Sequence, residues 1–145
     1  MTVLFVCTGN TCRSPMAAAL LRRALDKRGR ADIIVESAGL AAGGSPASAN
    51  AVEAMREWSL DIAGHRSRPV TPELLRRADV IAVMSPSHAM GVLSLGADPA
   101  RLRVLHVPDP YGGDLDAYRR TRNVLEQAAE KLAEELCAPP AGAPE

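Results

Sequence analysis

Cys7 and Arg13, near the start of the chain, have a spacing that suits nucleophilic chemistry on an anion. Five small or polar residues, Thr-Gly-Asn-Thr-Cys, separate them. Such a loop can point successive backbone N–H groups at one anion, because Gly9 and Asn10 tolerate positive φ angles. Arg13 adds a planar fork for two oxygens, and positive potential around Cys7 favours the nucleophilic thiolate. The residues predicted to bind a phosphoryl group for attack by Cys7 are Thr8, Gly9, Asn10, Thr11, Cys12, Arg13 and Ser14.

Two elements must position this loop. The apolar run at residues 3–6 is too short to span a membrane and predicts a buried strand that ends on Cys7. An amphipathic helical pattern begins near Ser14, with Pro15 in its first turn. The unpaired amides and the dipole of a helix N-terminus favour negative charge. A strand that passes directly into a helix therefore predicts an anion site at residues 8–12.

The rest of the chain alternates between strand and helix patterns, which indicates an α/β fold. We expect one domain at residues 1–137, with a four-stranded parallel sheet flanked by helices on both faces and the phosphate-binding loop after strand 1. Residues 138–145, rich in Pro and Ala, are expected to form a disordered tail. The strands are predicted at 3–6, 33–35, 79–84 and 102–107, and the helices at 15–29, from 46 or 48 through 58, 72–77, 86–95 and 116–137.

Three further expectations concern which side chains pack in the core and which face solvent. Trp58 is expected to be a packing anchor on the apolar stripe of its helix rather than a ligand contact. Four arginines, at 66, 68, 76 and 77, are interpreted as a solvated basic face, and a substrate-docking patch is the alternative. The apolar stripe of the last helix is predicted to consist of Tyr118, Val124, Leu125, Ala128, Leu132 and Leu136.

Asp109 is the carboxylate that the fold can bring to the loop. Ligands of open parallel sheets bind outside the carboxyl ends of the strands, and the fourth predicted strand leads to Asp109. Alone, Asp109-Pro110 would be an ordinary turn. With Cys7 and Arg13 in the same chain, Asp109 is predicted to protonate the leaving group and then to activate water.

Composition limits the partners and cofactors. Seventeen basic and seventeen acidic residues balance, so we expect neither nucleic acid nor a membrane surface as a partner. Three cysteines, two of them in the loop, do not suggest a disulfide framework, and no signal segment is recognised, which favours the cytoplasm. Neither a Walker A motif nor a G-x-G-x-x-G motif is present. No cofactor and no metal are expected.

The loop, the flanking elements and the downstream Asp109-Pro110-Tyr111 segment resemble the low-molecular-weight protein tyrosine phosphatases. The likeness covers the chain through about Leu136. It implies hydrolysis through a cysteinyl-phosphate on Cys7, with phosphorylated proteins or peptides as partners and inorganic phosphate as product. Arsenate reductases of the same fold remain an alternative, although they typically need a downstream thiol pair and this chain has only Cys137 there. A non-enzymatic anion-binding domain is a further alternative.

The resemblance also implies roles for supporting residues. Ser14 is expected to donate a hydrogen bond to the sulfur of Cys7. Asn10 is expected to brace the loop by bonding to Ser37 and His65, although a lone histidine in a loop is otherwise often a solvent-facing residue.

Cys12 and Thr11 carry two further expectations from the resemblance. Cys12 is expected to trap an oxidised Cys7 as a disulfide, the alternative being a small packing residue. Tyrosine-directed members typically carry a bulky aliphatic residue at the position of Thr11, and a second aromatic where this chain has Gly112. The loop sequence resembles more closely the protein-arginine-phosphatase branch, so Thr11 and Tyr111 are expected to set specificity for phosphoarginine, with phosphotyrosine left open.

Overall fold

The computed structural model contains a sheet of four parallel strands. They are β1 (Thr2–Cys7), β2 (Ile34–Gly39), β3 (Val80–Val83) and β4 (Leu102–Val104), in the order β2-β1-β3-β4. The structure describes residues 1–138, so the tail predicted for 138–145 lies outside the described residues except for Ala138. All three neighbouring pairs of strands are parallel, which confirms the predicted sheet, and the strand order makes β1 an interior strand.

Helices cover both faces of the sheet, as predicted. They are α1 (Arg13–Lys27), α2 (Ala49–Arg56), α3 (Pro72–Arg77), α4 (Pro86–Ser94) and α5 (Leu115–Cys137). One apolar core joins the sheet to α1, α2 and α5, and a second joins it to α3 and α4. No helix within residues 1–138 is long and apolar enough to cross a membrane.

Strand β1 is buried on both faces. Its side chains alternate, as a strand requires: Val3, Phe5 and Cys7 belong to the core under α1 and α5, while Leu4 and Val6 belong to the core under α3 and α4. The continuous apolar run in the sequence follows from this double burial. The side chain of Cys7 therefore lies on the face of the sheet that α1 covers.

Strand β2 is longer than predicted and begins one residue later. The sequence pattern placed it at 33–35, but it spans Ile34–Gly39. Its parallel register pairs Ser37 with Phe5 and Gly39 with Cys7. Because β2 is an edge strand, it is only partly buried and can include polar residues such as Glu36 and Ser37, which the apolar pattern did not mark as strand residues. Ser37 and Gly39 are thus delivered to the loop by the strand itself.

Strand β4 is shorter than the predicted 102–107. His106 has a φ of 55°, a left-handed conformation that interrupts a regular strand. The N–H groups of Leu105 and Val107 still donate to carbonyls at the end of β3, at 2.8 and 2.9 Å. The chain therefore follows β3 toward Asp109 although the strand has ended.

The predicted packing role of Trp58 is confirmed, whereas its place within a helix and the burial of Val124 in α5 are wrong. Trp58 lies beyond α2, which ends at Arg56, but its ring packs against the core with the Arg122 guanidinium carbon 3.9 Å from the ring centroid. In α5, Val124 is 43% exposed rather than buried. The stripe instead follows the 3.6-residue period from Tyr118. The buried residues of α5 are Tyr118, Thr121, Arg122, Leu125, Ala129, Leu132 and Ala133.

Candidate active site

An open cleft lies at the carboxyl end of β1, where residues 8–12 connect the strand to α1. Cys7 is the last residue of β1 and is 3% exposed, and Arg13 is the buried first residue of α1. Asn10 turns the loop with a φ of 56°, a conformation that asparagine tolerates better than most residues. The cleft has a volume of about 220 Å³ and is lined by Cys7, Thr8, Gly9, Thr11, Cys12, Arg13, Asp109 and Tyr111.

The sulfur of Cys7 contacts two hydrogen-bonding groups. The backbone N–H of Asn10 donates to it at 3.3 Å, and Ser14 Oγ lies 2.9 Å away. Asn10 Nδ2 donates to that same hydroxyl oxygen at 2.7 Å. Because the oxygen accepts from the amide, its own hydrogen is free to point at sulfur. Both contacts stabilise negative charge on Cys7.

Asn10 is the centre of the hydrogen-bond network beneath the loop. The side chain is fully buried, and its Nδ2 also donates to Ser37 Oγ at 3.0 Å. The backbone carbonyl oxygen of Asn10 lies 2.7 Å from His65 Nε2, and the side-chain Oδ1 accepts from the backbone N–H of Arg68 at 3.0 Å. The structure thus brings Ser37 and His65 together on Asn10.

Arg68 was missed as a member of this network. Because a backbone N–H makes the contact, no residue-type signal could have revealed it. The side chains of Arg68 and Arg77 both form ion pairs with Glu36 and remain 43% and 48% exposed.

Gly39, the last residue of β2, lets the loop pass close to the sheet. A Cβ atom there would lie 2.6 Å from the carbonyl oxygen of Thr8 and 2.9 Å from the backbone nitrogen of Asn10. Such contacts are too short for any side chain. The backbone N–H of Ala41 holds the same Thr8 carbonyl at 2.8 Å. A residue larger than glycine at position 39 would therefore displace the loop.

Arg13 and Asp109 meet across the cleft. Arg13 Nη1 donates to the carbonyl of Val107 at 2.9 Å, and Nη2 lies 3.5 Å from Asp109 Oδ2. The other carboxylate oxygen of Asp109 accepts from the backbone N–H of Tyr111 at 3.0 Å. The Asp109 side chain is 49% exposed and Tyr111 is 80% exposed. The structure therefore places Asp109 at the same edge as Cys7, with Tyr111 at the rim.

Cys12 is buried at the start of α1 and faces α5. Its sulfur lies 3.3 Å from Tyr118 Oη and 3.4 Å from Ser48 Oγ. Burial and the neighbouring Cys12 raise the pKa of Tyr118. Cys7 and Cys12 are both free thiols. The sequence pattern predicted Tyr118 only as a packing residue, because its contact with Cys12 spans 106 positions.

His88 is a residue near the loop that the sequence analysis missed. It is 3% exposed, in the first turn of α4, and its Nε2 lies 2.9 Å from Thr8 Oγ1. Burial and the charge of Arg13 lower the pKa of His88. One signal could have identified it: α4 follows β3, a neighbour of β1, so its first residues lie at the sheet edge that carries the loop.

The chain is similar to characterised phosphatases over nearly its whole length. The sequence model for low molecular weight phosphotyrosine protein phosphatases matches residues 2–139. The protein-arginine-phosphatase of Bacillus subtilis (strain 168) is 37% identical in an alignment 147 residues long that covers 94% of this chain and 97% of that protein.

Two solved structures are similar in both fold and sequence. One is the YwlE arginine phosphatase in a mutant form with a phosphorylated active-site serine, with a TM-score of 0.89, 37% identity and coverage of 94% and 95% of the two chains. The other is the low molecular weight protein tyrosine phosphatase of T. tengcongensis, with a TM-score of 0.87, 38% identity and coverage of 93% and 99%. Arginine-directed and tyrosine-directed names thus both occur among the similar proteins.

Proposed function

The chain belongs to the low molecular weight phosphotyrosine protein phosphatase family, and we propose that it acts on phosphoarginine in proteins in preference to phosphotyrosine. Protein phosphatase chemistry is common to the family. The arsenate reductase alternative is not favoured, because the relatives described above are named as phosphatases. The observation that carries the preference is Thr11 in the wall of the cleft beside Asp109 and Tyr111.

The proposed reaction consists of two displacements at phosphorus. Cys7 thiolate attacks phosphorus, an S–P bond forms, and the bond to the leaving nitrogen or oxygen breaks. Arg13 and the loop amides hold the three equatorial oxygens as charge spreads over them. The hydrogen bonds from Asn10 and Ser14 to sulfur then stabilise the thiolate that departs when water cleaves the S–P bond.

Asp109 is the proposed acid and base. In the first step it gives a proton to the leaving group, and in the second it takes a proton from the attacking water. Its position 3.5 Å from Arg13 and its bond to the Tyr111 N–H fix the carboxyl group at the open side of the cleft.

Thr11 and Gly112 support the preference for phosphoarginine. Thr11 supplies a methyl group and a hydroxyl where tyrosine-directed relatives typically carry a larger aliphatic residue, so the planar guanidinium has more room and a polar neighbour. Gly112 adopts a φ of 78° beyond Tyr111 and offers no second ring to stack on a phenyl group. One exposed aromatic beside Asp109 provides less stacking surface than two.

The test compares kcat/KM on a phosphoarginine peptide and a phosphotyrosine peptide of the same flanking sequence. We expect the wild type to prefer phosphoarginine and Thr11→Ile to lower the phosphoarginine-to-phosphotyrosine ratio by about 10- to 100-fold, the range that one or two extra methyl-sized groups in a pocket produce. Thr11→Val is the matched control, because it removes the hydroxyl without adding volume. A wild type that prefers phosphotyrosine would contradict the proposed preference.

We also propose that Cys12 protects Cys7 from irreversible oxidation. Peroxide converts the Cys7 thiolate to a sulfenic acid, and attack by the Cys12 thiol releases water and forms a disulfide that a dithiol reduces. The expected result is full recovery of peroxide-treated wild type with dithiothreitol and little recovery of Cys12→Ala. Cys137→Ala, at the end of α5, is the control and should recover like wild type. Equal recovery of Cys12→Ala would contradict the role.

The proposed chemistry also leads us to propose binding partners and a cellular compartment. Phosphorylated proteins or peptides bind at the cleft and inorganic phosphate leaves it. We propose no role for nucleic acid, a membrane surface or a cofactor. A cytoplasmic location suits the enzyme because the nucleophilic thiol of Cys7 must remain reduced.

A further inference from the structure

His88 is a buried, titratable side chain that the proposed mechanism does not use. The residue is 3% exposed, and its Nδ1 atom is buried with no hydrogen-bond partner among the described residues. The other ring nitrogen, Nε2, lies 2.9 Å from Thr8 Oγ1. Burying an imidazole with one nitrogen unpaired costs free energy. The contact with Thr8 is therefore the polar interaction that the structure offers for a histidine at this position.

Thr8 is the first residue after the nucleophile, and it is held from two directions. Its carbonyl accepts a hydrogen bond from Ala41 at 2.8 Å, on the side of β2. Its hydroxyl contacts His88 on the side of α4. Together the two contacts restrict rotation of the Thr8 backbone and side chain. Thr8 lines the cleft, so this restriction applies directly to the start of the loop that surrounds the phosphoryl group.

The charge state of His88 suits this contact. Burial is the largest cause that lowers its pKa, the positive charge of Arg13 lowers it further, and the negative charge of Asp109 acts in the opposite direction. A protonated ring would carry a second N–H, on Nδ1, with nothing to accept it. The neutral ring can bond to Thr8 and adds no second positive charge that would compete with Arg13 for the oxygens.

We infer that His88 is a positioning residue of the phosphate loop: its imidazole fixes Thr8, and through Thr8 the first amides after Cys7, in the orientation that binds a phosphoryl group. The inference rests on the proposed phosphatase function and assigns a part of that site to α4. It requires no contact between His88 and the substrate.

The experiment is a double-mutant cycle between His88 and Thr8. His88→Met removes the ring nitrogens at similar volume, and Thr8→Val removes the hydroxyl without changing the side-chain shape. Each variant should lower kcat for p-nitrophenyl phosphate and raise Kd for inorganic phosphate by about three- to tenfold, the scale of one neutral hydrogen bond. The double variant should be no worse than the poorer single variant, because both remove the same contact.

A conservative replacement separates positioning from packing. The side-chain amide of His88→Gln can reach the position of Nε2, so it should recover most of the activity that His88→Met loses. Ser94→Ala, in the last turn of α4 and away from the loop, should leave kcat and phosphate affinity unchanged. Additive losses in the cycle, or a Gln variant no better than Met, would overturn the inference. A wild type without p-nitrophenyl phosphate turnover would instead overturn the phosphatase function itself.

Discussion

Replacing Cys7 with serine is expected to lower kcat by about 10⁵-fold or more on any phosphorylated substrate, the scale seen when a catalytic nucleophile is removed. The contacts of Ser14 and of the Asn10 N–H stabilise charge on a large, polarisable sulfur. A serine hydroxyl in the same place remains protonated near neutral pH and is a far weaker nucleophile. The loop amides and Arg13 are unchanged, so affinity for inorganic phosphate should stay within a few-fold of wild type.

The measurement pairs single-turnover kinetics with calorimetric titration of inorganic phosphate. Cys137→Ser is the matched control, because it makes the same chemical change at the end of α5 and should leave both quantities unaltered. Retention of phosphate binding without turnover also separates an enzyme from the anion-binding domain that the sequence left as an alternative. A Cys7→Ser protein with more than a tenth of wild-type kcat would rule out Cys7 as the nucleophile.

Replacing Asp109 with asparagine is expected to lower kcat by about 10²- to 10³-fold on substrates with poor leaving groups, because general acid catalysis contributes on this scale. Phenyl phosphate and phosphoarginine peptides need a proton at the leaving atom. A 2,4-dinitrophenyl ester leaves as a stable anion and needs none. The loss on the dinitrophenyl ester should therefore be small in the first displacement, which a burst of dinitrophenol measures directly.

A matched control tests the assignment of Asp109 further. Asp116→Asn makes the same change seven positions later, where the carboxylate pairs with Arg119 and not with Arg13, and should leave kcat unaltered. Equal losses on good and poor leaving groups would show that Asp109 positions the substrate through Arg13 and is not the acid.

Local pattern predicted the elements around the loop closely. Strand β1 and helix α1 begin within one or two residues of their expected positions, because a doubly buried strand and an amphipathic helix leave clear signals in the sequence. The end of β4 was missed because it depends on the left-handed φ of His106. The length of β2 was missed because edge pairing does not require apolar residues.

The types and spacing of residues by themselves determined the chemistry proposed for this protein: a thiol, five loop residues and an arginine between a strand and a helix, with an aspartate after a later strand. Each of these signals consists of residue types next to a strand or helix pattern, so it can be recognised in a single sequence. The tertiary structure decided which partners complete the site. Arg68 reaches the loop through a backbone N–H that lies 58 positions from Asn10, and Tyr118 through a contact that spans 106 positions. Only the folded arrangement of the sheet and its helices brings such groups within hydrogen-bond distance, because distance along the chain carries no information about contacts made across the core.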